Sequence, residues 1–224
     1  MNQQKRVSRR QFLIGAAGVS ILACGGAGAL ALQQPAIEFN ELSCNQVAND
    51  QGKVLVTYAS QFGSTGGVAA AIAQALCEGG VAAEVKFVSN VTNLSAYRAV
   101  IVGAPVHADE WMPEAVTFVE TNRNLLSQLP VAYFLTCMTL GLTNQPEARQ
   151  KMAGVLERVQ KQVSGVTPVD KGLFAGALDY SKMSYFMRMM YQTFAEDDTE
   201  GDFRDWNAIR AWTDAVRPKL LGNG

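Results

Sequence analysis

The stretch KVLVTYASQFGSTGGVAAAIAQAL, residues 53–76, decides the fold. Lys53–Tyr58 is apolar and β-branched, the pattern of a short strand buried on both faces. Ala69–Leu76 is built of helix formers with apolar residues at helical spacing. Between them Ser60, Gln61, Phe62, Gly63, Ser64 and Thr65 form a strand-to-helix turn rich in hydroxyls. Such a turn suits an anion. A helix N-terminus presents N–H groups without intrahelical partners and the positive end of its dipole, and small side chains let a phosphate approach the backbone.

Outward from this turn the chain alternates between two periodicities. Strands are expected at Val54–Ala59, Ala83–Val88, Ala99–Gly103, Val131–Met138 and Gly172–Leu178. Helices are expected at Thr65–Glu78, Pro113–Gln128, Gln145–Val163, Ser184–Phe194 and Trp206–Leu220. Alternation with continuously apolar strands predicts an α/β fold whose parallel sheet is covered on both faces. Five such strands predict a doubly wound order, 2-1-3-4-5, with ligand at the carboxyl ends.

Two further loops share that end. After the third strand come Pro105, Val106, His107 and Trp111, and the imidazole and indole offer flat faces to a planar cofactor ring. Trp111 reads equally well as a core residue beneath the following helix. After the fourth strand, Thr136, Cys137 and Met138 offer backbone groups to ring heteroatoms. His107, the single histidine, is the candidate catalytic acid or base because its ordinary pKa lies near neutrality.

At 224 residues, 48% hydrophobic and 17% charged, the chain fits one well-cored domain with an extension. Of its 19 basic residues four lie in residues 1–32, which hold no acid, so the rest carries 15 basic against 20 acidic residues and a net charge of −5. An acidic body argues against nucleic acid as a partner.

Residues 1–32 read as an address. Arg9 and Arg10, followed by Gln11, Phe12 and Leu13, resemble the twin-arginine translocation motif, and no charge follows from Phe12 to Leu32. The same segment is long enough for a membrane anchor. Ala27–Ala29 and Ala29–Ala31 are cleavage candidates, and Cys24 after Ile21, Leu22 and Ala23 is a degenerate lipidation site. Positive charge ahead of the apolar segment places the body outside the cytoplasm, in the periplasm or on the outer face of the membrane. The twin-arginine export machinery is thus an expected partner, and it carries folded proteins, usually loaded with a cofactor. Residues 33–52 read as a linker or peripheral segment, and residues 53–224 as the domain.

The remaining features are read structurally. Cys77 and Cys137 are expected as buried small hydrophobes, whereas Cys44 is more exposed and able to pair with another cysteine in an oxidising compartment. One histidine and no Cys-x-x-Cys predict no metal site. The stripe Phe186, Met187, Met190, Tyr191 and Phe194 reads as core, or else as a surface entering the bilayer. The acidic run at 196–202 reads as a solvated loop.

The turn YASQFGST, residues 58–65, resembles the flavodoxin phosphate loop. The body more closely resembles the flavodoxin-domain family that contains bacterial menaquinone-dependent protoporphyrinogen dehydrogenase. That likeness rests on FAGALDY at 174–180, the aromatic and methionine-rich YFMRMMY at 185–191, and Asp205 with Trp206. The resemblance implies a flavodoxin-like fold and bound FMN, with the phosphate on Ser60 to Thr65 and the isoalloxazine between the second and third loops. It implies a redox role with an electron donor and acceptor, a quinone among the candidates. Phe62 and Ser64 stand where flavodoxins usually have Thr and Asn, and an acidic, exported body does not suit a porphyrin substrate. The alternative is a flavin-free module that uses the same fold for binding or structure.

Overall fold

The computed structural model describes residues 35, 37, 39–44, 52–194 and 200–222. The twin-arginine segment, Cys24 and most of the acidic run lie outside them. Residues 37–179 with 198–224 form one compact unit. In chain order it opens with β1 (Leu42–Cys44), β2 (Lys53–Tyr58), α1 (Ser64–Glu78), β3 (Ala83–Phe87), β4 (Tyr97–His107) and β5 (Glu110–Trp111). It continues with α2 (Pro113–Thr121), α3 (Arg123–Leu126), β6 (Val131–Cys137), α4 (Thr139–Leu142), α5 (Pro146–Gln162) and β7 (Asp170–Ala175). α6 (Tyr185–Phe194) belongs to a second unit, and β8 (Ala177–Leu178), β9 (Gly201–Asp202) and α7 (Trp206–Leu220) complete the first.

The sheet runs β1-β3-β2-β4-β6-β7. Its five long strands are parallel and stand in the order 2-1-3-4-5 expected from the apolar runs. Val56 pairs with Val85 on one side and Ile101 on the other, and Val102 pairs with Tyr133. Both faces are covered because side chains alternate along each strand. Leu55, Val102, Tyr133 and Leu135 pack with Phe118 of α2 and with Met152 and Leu156 of α5. On the other face Val54, Val56, Ile101 and Phe134 meet Val68, Ile72 and Leu76 of α1 and Ile209 and Val216 of α7. Val68, Ile72 and Leu76 are four residues apart, so they form one helical stripe.

Several boundaries depart from expectation for local reasons. The sheet has seven strands, because β1 adds an antiparallel edge to β3 and β5 turns back on β4. β1 lies inside the stretch read as a linker. The third parallel strand continues to His107 because its end is one arm of that hairpin. The fifth ends at Ala175, and Ala177–Leu178 leaves the sheet to pair with Gly201–Asp202. The helix expected over Pro113–Gln128 breaks at Asn122, whose side-chain amide donates to the Phe118 carbonyl at 2.9 Å.

Cys77 is not a simple core residue: it is disulfide-bonded to Cys44, 33 positions earlier. Cys137 is half-buried with a free thiol. Within the second unit, the Ser184 carbonyl accepts from Arg188 N at 2.9 Å and starts α6. Along α6 the stripe residues Phe186, Met187, Met190 and Tyr191 are half-buried, whereas Tyr185 and Met189 beside them are 69% and 45% exposed. The side chain of Phe194 lies outside the described residues.

Candidate functional site

The carboxyl ends of β2, β4 and β6 stand side by side, and each leads into one of the three expected loops. In the first, the chain leaves β2 at Tyr58 and reverses at Gly63, whose φ of 83° is a left-handed conformation that glycine adopts without steric cost. Gly63 is the N-cap of α1, so no side chain caps the helix, and its first turn holds no acidic residue. The first N–H groups of α1 therefore lack a capping side chain, and the positive end of the helix dipole there suits an anion.

The hydroxyls of the turn face inward. Ser60 Oγ accepts from Gly63 N at 2.9 Å, which closes the turn. Ser64 Oγ accepts from Ala177 N at 2.7 Å, drawing the segment after β7 onto the start of α1. Thr65 Oγ1 and Thr136 Oγ1 lie 2.8 Å apart in a buried hydrogen bond that joins the first loop to the third. These side chains shape the turn and leave anion contact to the backbone. Replacing Thr65 by valine should cost about 1–3 kcal/mol, because the Thr136 hydroxyl is left buried without its partner. The double variant Thr65→Val/Thr136→Val should recover most of that loss, which urea denaturation of the parent and the two variants will measure.

A cation stands beside this turn. Arg204 donates from Nη1 to the Ser64 carbonyl at 3.3 Å and grips Asp202 through Nε at 2.7 Å and Nη2 at 2.6 Å. That grip holds the Asp202 carboxyl below the usual carboxylate range. The guanidinium also lies 4.5 Å from the centre of the Trp206 ring. Nothing in the spacing of the sequence marks Arg204; the β8–β9 ladder, which pairs Ala177 with Asp202, carries it there.

The second loop is a hairpin rather than an open connection. Val106 pairs with Trp111 and His107 with Glu110 around a two-residue tip, Ala108 and Asp109, with φ of 50° and 66°. Two left-handed residues are what such a tip requires, although asparagine and glycine usually supply them. The tip is held from α5: Arg158 Nη2 donates to the Asp109 carbonyl at 2.6 Å, and Lys151 Nζ lies 2.7 Å from its carboxylate.

Trp111 points into the core and does not stack on a cofactor in this arrangement. It is 2% exposed, its indole N–H donates to the carbonyls of Ala104 at 3.1 Å and Phe134 at 3.2 Å, and its ring centre is 5.4 Å from that of Tyr133. Pro105, Val106 and His107 are half-buried at the strand end. Burial holds the His107 pKa below its ordinary value, opposed in part by Glu114. Its Nε2 is buried and has no hydrogen-bond partner among the described residues.

In the third loop Thr136 is buried, whereas Cys137 and Met138 are half-buried. A side chain at Gly176 would lie within 3.6 Å of Ser64 Oγ and 3.7 Å of the Met138 sulfur, so the first and third loops meet at this glycine. Gln61 and Phe62 are half-buried on the turn. Among the described residues no cluster of histidine, cysteine, aspartate or glutamate is arranged to hold a metal ion. The residues present fit a flat phosphorylated ligand: a bare helix start for its anion, an orphaned imidazole nitrogen, and half-buried apolar groups on two loop ends.

The family model described as the flavodoxin domain matches residues 55–205. A protein of Leishmania major described as protoporphyrinogen IX dehydrogenase [quinone] is 26% identical over 174 residues, 73% of this chain and 74% of that protein. Among solved structures, a flavodoxin from the domain Archaea is 16% identical over 75% of this chain and 98% of its own, with a TM-score of 0.45. Oxidised Flavodoxin 2 from Bacillus cereus is 18% identical over 75% of this chain and 99% of its own, with a TM-score of 0.44. A flavoprotein from Lactobacillus acidophilus, solved in complex with FMN, is 15% identical over 55% of this chain and 93% of its own, with a TM-score of 0.40.

Proposed function

The chain belongs to the flavodoxin domain family, and from that membership we propose that it is an FMN-binding flavoprotein of the extracytoplasmic side, working in electron transfer or quinone-linked oxidoreduction. The observation that carries this reading is the bare start of α1: a left-handed glycine cap, no side-chain cap and no acid in the first turn. On this reading the FMN phosphate lies against residues 60–65 and accepts from backbone N–H groups. Pro105, Val106 and His107 flank the ring from one loop, and Thr136, Cys137 and Met138 from another. When bound, the flavin supplies the electron-transfer chemistry, and the protein holds it and limits its contact with water. His107 is neutral at pH 7, since burial lowers its pKa, and its Nε2 is the candidate proton-holding atom near the ring.

The absorbance spectrum of the purified protein, followed by titration of the flavin-free form with FMN, tests the reading. Flavin bands in the first, or saturable quenching of FMN fluorescence in the second, are expected. Protein that is colourless and does not take up FMN leaves the second reading, a flavin-free module, which the inward-facing hydroxyls of Ser60, Ser64 and Thr65 favour. The porphyrin chemistry in the name of the Leishmania relative is not part of this proposal, since a body of net charge −5 does not suit a carboxylate-bearing substrate.

Two features support a place outside the cytoplasm. One is the paired arginines ahead of an uncharged segment; the other is the Cys44–Cys77 disulfide, a bond that persists in oxidising compartments. The double variant Arg9→Lys/Arg10→Lys keeps the charge and should abolish export through the twin-arginine route, as cell fractionation will show. Unchanged export would point to a general secretory signal or an anchor.

A further inference from the structure

The disulfide sits at one end of a strap whose other end reaches the cofactor turn. β1 pairs antiparallel with β3 through only three residues, Leu42 with Val85, Ser43 with Glu84 and Cys44 with Ala83. Leu42 is 42% exposed and the strand buries little, so the ladder alone holds it weakly. Cys44 at its end is bonded to Cys77 in the last turn of α1.

Because β1 runs antiparallel, the residues before it climb along β3 toward the carboxyl end of the sheet. There the Phe39 ring lies 4.2 Å from that of Phe87, and Glu41 accepts from the side chain of Asn90 at 2.7 Å. The carbonyl of Asn40 accepts from the Tyr58 hydroxyl at 3.1 Å. Tyr58 is fully buried, its ring meets Phe87 edge-on, and burial pushes its pKa up to about 12. It is also the last residue of β2, and its ring presses on Gly66 in the first turn of α1: a Cβ there would lie 2.9 Å from it. The strap therefore touches, through one aromatic residue, the turn that presents the N–H groups.

We propose that the Cys44–Cys77 disulfide is a redox-sensitive clasp that holds the strap at residues 39–44 against Tyr58 and so keeps the cofactor turn formed, making flavin retention dependent on an oxidising environment. This rests on the reading that FMN binds at residues 60–65. Both cysteines are half-buried, within reach of a small dithiol. Reduction adds two electrons and two protons across the Cys44–Cys77 bond and gives two thiols, while the external dithiol closes to its own disulfide. The released strap keeps only the three-residue ladder, and Tyr58 loses its acceptor when the strap lifts.

The test uses the full chain in oxidised form, the same protein reduced with dithiothreitol, and the variants Cys44→Ser/Cys77→Ser and Tyr58→Phe. FMN affinity is read by flavin fluorescence, and amide hydrogen exchange is followed in flavin-free protein. Reduction, or loss of both cysteines, should raise the FMN dissociation constant roughly fivefold or more, the factor that one lost hydrogen bond represents. Exchange should accelerate at residues 39–44 and also at 58–66. Tyr58→Phe should weaken FMN with the disulfide intact. Unchanged affinity and unchanged exchange at 58–66 after complete reduction, shown by mass after alkylation, would overturn the proposal. So would three alkylatable thiols at Cys44, Cys77 and Cys137 before reduction. If no form binds FMN, the functional reading falls, and exchange at 58–66 still decides whether the clasp reaches the turn.

Discussion

Replacing Trp111 by alanine should destabilise the protein by about 3–5 kcal/mol, the range for removing a large buried aromatic side chain. The indole is 2% exposed, packs 5.4 Å from Tyr133, and satisfies the carbonyls of Ala104 and Phe134 with one N–H. Its loss opens a cavity beneath the strand ends and strips a donor from both carbonyls. In a domain of this size each kcal/mol lowers the melting temperature by about 2–4 °C, so a fall on the order of 10 °C is expected in a thermal scan. Trp111→Phe, which keeps most of the volume and loses only the N–H, should fall between. In protein that remains folded, quenching of bound flavin should match the parent in both variants. Release of quenching in Trp111→Ala would mean that the indole faces the ring after all.

Trp111 also shows where the sequence stops being legible. A lone tryptophan after an apolar strand fits a cofactor wall as well as a core plug, and only the hairpin decides between them. That hairpin was hidden because its tip is Ala108–Asp109, without the asparagine or glycine that usually signals a two-residue turn. The five parallel strands were legible for the opposite reason: strands buried on both faces must be continuously apolar, and Val54–Tyr58 and Val131–Leu135 are nearly so. β1 is three residues long, too short to show any period, and the pairing of Cys44 with Cys77 cannot be read from spacing. Ser60, Ser64 and Thr65 were legible as members of the turn, yet their hydroxyls bond to Gly63 N, Ala177 N and Thr136. Which way a hydroxyl points depends on partners up to 113 residues away. Arg204 arrives by the same long-range route, through a ladder of two short strands.

Gly66→Ala should weaken FMN binding by about tenfold or more, a loss on the order of 1.4 kcal/mol, whereas Gly67→Ala should leave it nearly unchanged. Both glycines lie in the first turn of α1, where alanine is the better helix former by about 1 kcal/mol. Their surroundings differ. A Cβ at Gly66 would stand 2.9 Å from the ring and hydroxyl of Tyr58, which is fully buried and wedged against Phe87. That ring cannot withdraw, so the helix start must lift, and overpacking of this kind costs about 1–3 kcal/mol. The N–H groups move with it, away from the position that receives the phosphate. A Cβ at Gly67 would meet Nη1 of Arg204, which gives up the Ser64 carbonyl while Nε and Nη2 keep their grip on Asp202. Alanine there should keep the turn and gain some of the helix propensity. Fluorescence titration with FMN and chemical denaturation of the two variants separate these cases. Equal affinities in Gly66→Ala and the parent would show that the first turn of α1 does not hold the phosphate.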